Sequence, residues 1–385
     1  MSASLAVRWH DALAAAGQRL GSGGGGGGRG REGSVGPFEL SADFGFAGWL
    51  CREAGVGDRD AEWHADRMRR ALEQTLLREH ARAISRTLTA AHCPHLFCKG
   101  VALLGKHYRP GERSMADIDV LIAPAAREAA LQALGRIDFL AYPDREQAGP
   151  PTMRAGLALV APAPPPLEAA NLDLHWGLEP VEWLLPRSRP VPEALWAEAV
   201  WDGDLPVPSL VPHVALLLHH LVHHDFLHVR GLLDLSLLWR ELATSDGPAL
   251  ERWAAELGVR RPLRVVADVL AVDLGLQRLA GVALPRDARS RALRSRLGLV
   301  SWLVTAASAP MKDHAMITPA RIARRALAVD RAAGLWRLAR DVVAPPSAHL
   351  TWRWPDAGGP LRAWWQHARQ MARKARPGTR LLDPG

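Results

Sequence analysis

Cysteine is scarce: Cys51, Cys93 and Cys98 are the only three in 385 residues. They form neither a CxxC pair nor a Cys/His finger. That excludes a disulfide scaffold and a zinc finger, and it fits a reducing compartment. Long apolar runs are also missing. The longest, Leu297 to Met311, falls short of the roughly 20 residues that a membrane-spanning helix needs. The N-terminal residues lack the charged-then-apolar layout of a secretory signal. These absences predict a cytoplasmic protein without a transmembrane segment. Lysine is nearly absent, occurring only at 99, 106, 312 and 374, so positive charge is written almost wholly as arginine. No internal repeat is evident, which excludes solenoid and propeller architectures.

At 48% hydrophobic and 23% charged, the chain can bury a sizeable core and is not globally disordered. Its length predicts two to three domains at roughly 150 residues each. A net charge of +8 and a pI near 10.2 would ordinarily point to nucleic acid or an anionic surface. Here Ala, Gly and Pro are abundant beside Arg, a composition that coding bias also produces. Charge alone therefore names no partner, and nucleic acid is not favoured.

Residues 1–94 read as a helical segment carrying a glycine-rich linker at about 21–36. The run Gly23 to Gly28 lacks the flanking strand and helix that a phosphate cradle requires, so it reads as flexible coil. From Ala61 to about Ala91, Leu72, Leu76, Leu77, Ile84 and Leu88 recur at helical spacing and predict a long amphipathic helix. Residues 95–180 change character. HLFC, DIDVLIAP, RAGLALVAP and AANLDLHW read as strands, and VALLGKHY and AAREAALQALGRI as helices. From 181 to 385 the pattern is helical throughout and ends in a basic tail with Trp364 and Trp365. A surface-packed tail is the simpler reading; an anionic membrane, RNA or an acidic partner is the alternative. The predicted fold class is α+β: a small mixed-sheet core flanked by N-terminal helices and a C-terminal helical domain.

The informative segment is Asp117-Ile118-Asp119. Side chains two apart on a strand share a face, so both carboxylates point one way and Ile118 the other. Paired carboxylates repel unless a cation lies between them, and oxygen ligands favour Mg²⁺ or Mn²⁺. In NLDLHW, Asp173 and His175 repeat the alternation. If the two strands are neighbours, Asp173 completes a three-carboxylate site suited to displacement at phosphorus. Upstream, Gly100 closes a strand and opens a helix, so backbone N–H groups can approach a polyphosphate. Lys99, Lys106, Arg109 and Arg113 supply cationic charge nearby.

The run LFCKGVALL…GERSMADIDVLI…NLDLHW resembles an uncharacterised bacterial nucleotidyltransferase family of the polymerase-β-like nucleotidyltransferase superfamily. Specific motifs lie between 97 and 176. The resemblance implies a metal-dependent enzyme that moves a nucleoside monophosphate from an NTP to a hydroxyl-type acceptor on a small molecule, peptide or protein. It implies that Asp117, Asp119 and Asp173 are the metal-binding and catalytic carboxylates, with Mg²⁺ or Mn²⁺ as cofactor. Lys99, Gly100 and Arg113 would serve the nucleotide, with Arg113 steadying either the triphosphate or the loop before Asp117. Val101 departs from the pattern, since the superfamily usually carries Gly or Ser there, and the gap from Gly100 to Asp117 is long. Two other readings are a non-catalytic binding protein that kept the fold, which Val101 favours, and a basic nucleic-acid-binding protein.

A histidine cluster follows at 213, 219, 220, 223, 224 and 228. His219 with His223, and His220 with His224, are four apart, a spacing that can hold a metal. No HExxH accompanies them. With His175, His219 and His223 are candidates for bordering the acceptor pocket, ordinary helix packing being the alternative. Arg230 and Asp234, also four apart, predict an intrahelical ion pair.

Overall fold

A computed structural model describes residues 5–22, 37–54, 61–142, 150, 153–185, 187–308 and 319–374. The glycine run and the basic residues Arg376 and Arg380 lie outside the described residues. Helices α1 (Leu5–Ser22), α2 (Pro37–Asp43), α3 (Ala47–Ala54) and α4 (Ala61–Ala90) precede the sheet. The sheet contains β1 (His95–Cys98), β2 (Asp117–Ile122), β3 (Leu140–Ala141), β4 (Gly156–Pro162) and β5 (Ala169–His175). Its order is β1-β2-β5-β4-β3. Strands β2 and β5 are parallel, and the other neighbours are antiparallel. The single turn α5 (Gly100–Leu103) follows β1, and α6 (Arg127–Gly135) follows β2.

Alternation on the strands assigns the two faces. Ile118, Val120, Ile122, Leu172 and Leu174 join one apolar cluster with Leu77, Ile84 and Leu88 of α4 and Leu134 of α6. Burial of this face against two helices gives the sheet its main hydrophobic stabilisation. Asp117, Asp119, Asp173 and His175 fall on the opposite face because the strand period is two. Leu72, assigned by periodicity to the apolar stripe of α4, is 50% exposed; the buried stripe begins one turn later.

Beyond the sheet come α7 (Ala194–Ala197), β6 (Ala199–Asp202) and β7 (Leu205–Pro208). These two strands form a hairpin, which corrects the expectation of continuous helix after 181. The turn is Asp202-Gly203-Asp204, where Gly203 adopts φ 60°, a value that glycine tolerates without strain. Leu205 and Val207 bury into the apolar face of the sheet.

Then α8 (Leu210–His223) and α9 (Val229–Trp239) lead into α10 (Gly247–Glu256), α11 (Arg260–Val272), α12 (Ala288–Arg296) and α13 (Leu299–Ser308). The remaining helices are α14 (Pro319–Ala328), α15 (Ala332–Val343), α16 (Ser347–Arg353) and α17 (Pro360–Lys374). Trp9 and Leu13 of α1 share a second apolar cluster with Leu232 of α9, Val266 of α11 and Trp302 of α13. The first helices thus pack among the later ones. Among the described residues no helix is long and apolar enough to cross a membrane.

Candidate active site

The register of β2 against β5 sets the site. Asp119 pairs with Asp173, and Leu121 with His175. The strand that the sequence could place only conditionally is thus the parallel neighbour of DID. Asp119, Asp173 and His175 each offer a ligand atom, all within 4.8 Å of one another. Asp117 shares their face two residues earlier but is not in that close group. His175, expected at an acceptor pocket, therefore lies among the candidate metal donors.

Charge in this group is shared with Lys99. Its Nζ is 2.5 Å from Asp119 Oδ1, and its backbone sits at φ 58° and ψ −132°, a sparsely populated conformation that costs a non-glycine residue about 1–3 kcal/mol. Burial opposes ionisation of Asp119, yet the Lys99 ammonium, with the adjoining His175 ring, outweighs it and holds the carboxyl well below the usual carboxylate range. Among the described residues no cation forms a salt bridge with Asp117, and Lys99 and Arg230 act on it only through space. Burial, reinforced by the Asp119 charge, pushes its pKa up to about 6. In Lys99 itself burial is overcome by Asp119, and the ammonium is held charged above its ordinary value.

The residues fit a divalent ion by their donor chemistry. Two carboxylates and an imidazole converge, and His175 Nε2 is buried without a hydrogen-bond partner, 3.5 Å from Asp119 Oδ1. Gly156, directly across from His175 in β4, makes room for that ring. A Cβ there would fall 2.6 Å from the Leu174 carbonyl oxygen and 2.9 Å from His175 Nδ1. Ala158 lies across from Asp173, so two small residues border the donor side chains. The alternation of β4 carried no chemical signal in the sequence, and neither residue was a candidate there.

These side chains line a cavity of about 460 Å³ together with Lys99, Gly100 and Arg113. Gly100 has the predicted strand-to-helix position, and a Cβ on it would fall 2.8 Å from Arg113 Nη1. Val101 is directed elsewhere, buried in the apolar cluster on the far face of the sheet. The residue type that departs from the superfamily pattern is therefore a packing residue here.

Arg113 is almost wholly buried, and its Nε and Nη2 donate to Asp234 Oδ1 and Oδ2 at 2.9 and 2.7 Å. Tyr108 Oη donates to the same carboxylate at 2.7 Å. This corrects the expected Arg230–Asp234 pair: Asp234 faces the loop before β2, and its acceptors are taken by Arg113 and Tyr108. The bidentate pair ties α9 to the chain four residues before Asp117. Removing one partner of such a buried pair costs roughly 3–5 kcal/mol.

The helical wall of the cavity carries the histidines. His213, His219, His220, His223, His224 and His228 all border it, so the cluster belongs to the same space as the acids. His219 Nε2 is 2.9 Å from the Glu179 carbonyl oxygen, and His223 Nδ1 is 3.4 Å from the Glu179 carboxylate. Burial, with a smaller contribution from Arg189, pushes His219 down to about 3. Among the described residues, no set of these imidazoles meets the ligand spacing that Asp119, Asp173 and His175 meet.

An acid-bearing parallel strand pair on a small mixed sheet, with helices at both ends and a cavity beneath, is an α+β nucleotidyltransferase core. A family profile described as uncharacterised nucleotidyltransferase matches residues 55–272, more than half of the chain, and the protein belongs to that family. No curated protein and no solved structure matched it.

Proposed function

We propose that this protein is a metal-dependent nucleotidyltransferase that moves a nucleoside monophosphate from an NTP to a hydroxyl-type acceptor. An acceptor oxygen bonds to the α-phosphorus, the bond from that phosphorus to the β-bridging oxygen breaks, and pyrophosphate leaves with the electron pair. The observation that carries this reading is the β2/β5 register, which sets Asp119 beside Asp173 on the cavity wall. Asp119 and Asp173 are the core of the metal site, with Asp117 as third carboxylate and His175 as adjoining donor. Mg²⁺ or Mn²⁺ bound there would neutralise charge developing on the phosphoryl oxygens.

The chain's own groups supply the rest. Lys99 already carries a positive charge beside Asp119, and metal binding would release its ammonium toward the phosphates. Gly100 lets the backbone come close to the nucleotide, and Asp173 is placed to accept the acceptor hydroxyl's proton. Arg113, held by Asp234, positions the loop that delivers Asp117. The work is positioning and electrostatics, without a covalent enzyme intermediate.

A second reading has one observation behind it. The Lys99–Asp119 pair neutralises an acid without a metal, as a non-catalytic member of the fold would require. Isothermal titration of non-hydrolysable analogues of the four NTPs, with and without Mg²⁺, separates the two. Metal-dependent binding of one analogue to wild type, reduced at least about tenfold in Asp119→Asn, is the expected result. Binding indifferent to metal supports the non-catalytic protein, and no binding of any analogue overturns both.

A further inference from the structure

Arg113 was the sequence's candidate for a phosphate, but its Nε–Nη2 edge is already closed on Asp234. The neighbouring arginine on the same cavity is differently placed. Arg230 Nη1 donates to the Ser114 carbonyl oxygen at 2.7 Å and to the Ser114 hydroxyl. That fixes the guanidinium while leaving its other edge largely unused. Nε is buried without a partner, and Nη2 has only a long 3.4 Å contact to His228 Nε2. No described carboxylate forms a salt bridge with it.

We infer that Arg230, with His228 beside it, forms a phosphate-binding subsite on the helical wall of the cavity. Three observations decide the sign of the ligand. First, Lys99, Arg113 and Arg230 border this space together with Asp117, Asp119, Asp173, Glu179 and Asp234. Asp119 is paired with Lys99 and Asp234 with Arg113, which leaves Arg230 as the cation of this wall whose charge a metal at the histidines would meet. His220, His224 and His228 have ring centroids 4.3 to 5.5 Å apart, so they look like a metal cluster, yet they do not reach common ligand spacing. Second, α9 begins here. Its first turn contains no acid, and its N-cap His228 makes no side-chain capping bond, so no side chain compensates the positive end of the helix dipole, although the Val229 and Gly231 amides donate to the Leu227 and His228 carbonyls. Third, Arg230 Nε, on a residue of this lining, is buried without a hydrogen-bond partner among the described residues. Such atoms cost free energy unless a ligand or water satisfies them.

The fork geometry names the anion. The Nε–Nη2 edge suits two oxygens of one oxyanion, as Arg113 demonstrates on a carboxylate a few residues away. Choosing phosphate among oxyanions rests on the nucleotidyltransferase reading. The phosphate is either the tail of the donor triphosphate or a phosphate carried by the acceptor, and the chemistry at Arg230 is the same for both.

Isothermal titration of the full chain with inorganic pyrophosphate, in metal-free buffer, tests the subsite in wild type, Arg230→Gln and Arg230→Lys. Pyrophosphate is expected to bind wild type, and its Kd to rise about tenfold or more in Arg230→Gln. Arg230→Lys keeps the charge but loses the fork, so it should weaken binding by a smaller factor; it also carries the test should Arg230→Gln fail to fold. The same titrations with non-hydrolysable NTP analogues separate the sources. For a donor tail, pyrophosphate competes with the analogue, whose affinity falls in step in the variants. For an acceptor phosphate, pyrophosphate binds the analogue-saturated protein and Arg230→Gln leaves analogue affinity unchanged. Absence of pyrophosphate binding in wild type, or unchanged binding in the variants, overturns the subsite. Pyrophosphate binding with no analogue bound, with or without Mg²⁺, keeps the subsite and removes the nucleotidyltransferase reading.

Discussion

Asp117 and Asp119 have the same side chain, lie two residues apart on one strand face, and differ in their charge environment. Asp119 has the Lys99 ammonium within contact; Asp117 has burial and the repulsion of Asp119, and its pKa rises to about 6. In the metal-free protein the folded state therefore holds a proton on Asp117 that the unfolded chain has already lost. Stability falls as pH rises from about the ordinary aspartate value to about 6, and the full penalty persists above that. A rise of roughly two units corresponds to no more than about 3 kcal/mol before solvent screening. Asp117→Asn should consequently raise the Tm of the metal-free protein near neutral pH and leave it almost unchanged near about pH 4. Thermal melts of both proteins across that range check this. Added Mg²⁺ should stabilise wild type more than the variant; equal gains would remove Asp117 from the metal site.

At the scale of elements, the site depends on side chains that are small rather than reactive. Strand β4 presents Gly156 and Ala158 beside the donors of β5, and the His175 ring occupies the space that a Cβ at 156 would take. Gly156→Ala should force β4 away from the Leu174 carbonyl or the imidazole out of the donor group. The expected cost is about 1–3 kcal/mol, read as a shift in the urea midpoint. A weaker Mn²⁺ affinity, read by titration, should accompany it. Loss of stability with unchanged metal affinity would show that His175 is not a ligand. The hairpin of β6 and β7 was missed because its strands are only four residues each. Its Asp-Gly turn is legible in the sequence, but two four-residue strands between long apolar helical segments carry too few alternations to stand out. The β2 and β5 alternations were legible because each puts its carboxylates on one face and Ile118, Val120, Leu172 and Leu174 on the other.

For the whole molecule, a buried ion pair joins a late helix to the turn between α8 and α9, a hundred residues earlier in the chain. Arg325 on α14 donates from Nε to Asp225 Oδ1 at 2.6 Å and from Nη2 to the His223 carbonyl oxygen, with both side chains almost fully buried. It clamps the corner between α8 and α9, which carries His223, His224 and His228 onto the cavity wall. Arg325→Met should remove the buried guanidinium that Asp225 accepts from and cost roughly 3–5 kcal/mol in denaturant unfolding. Because the corner supplies the cavity wall, pyrophosphate affinity should fall with it under conditions where the variant is folded. Intact affinity at reduced stability would mean that the corner holds its shape without the clamp.

The sequence by itself determined which residues face together along each strand, because period-two alternation is a local property of the backbone. Asp117 with Asp119, and Asp173 with His175, follow from it, as do the α+β class and the strand-to-helix position of Gly100. Tertiary structure decided which strands are neighbours and in what register, since hydrogen bonding between segments about fifty residues apart has no local code. It placed Asp119 beside Asp173, admitted His175 to the donor group and turned Val101 into the apolar core. It also gave Asp234 to Arg113 rather than to Arg230. Helical spacing allows the Arg230–Asp234 pair, but a buried carboxylate takes the partners that satisfy it most completely, and those came from a loop more than a hundred residues away.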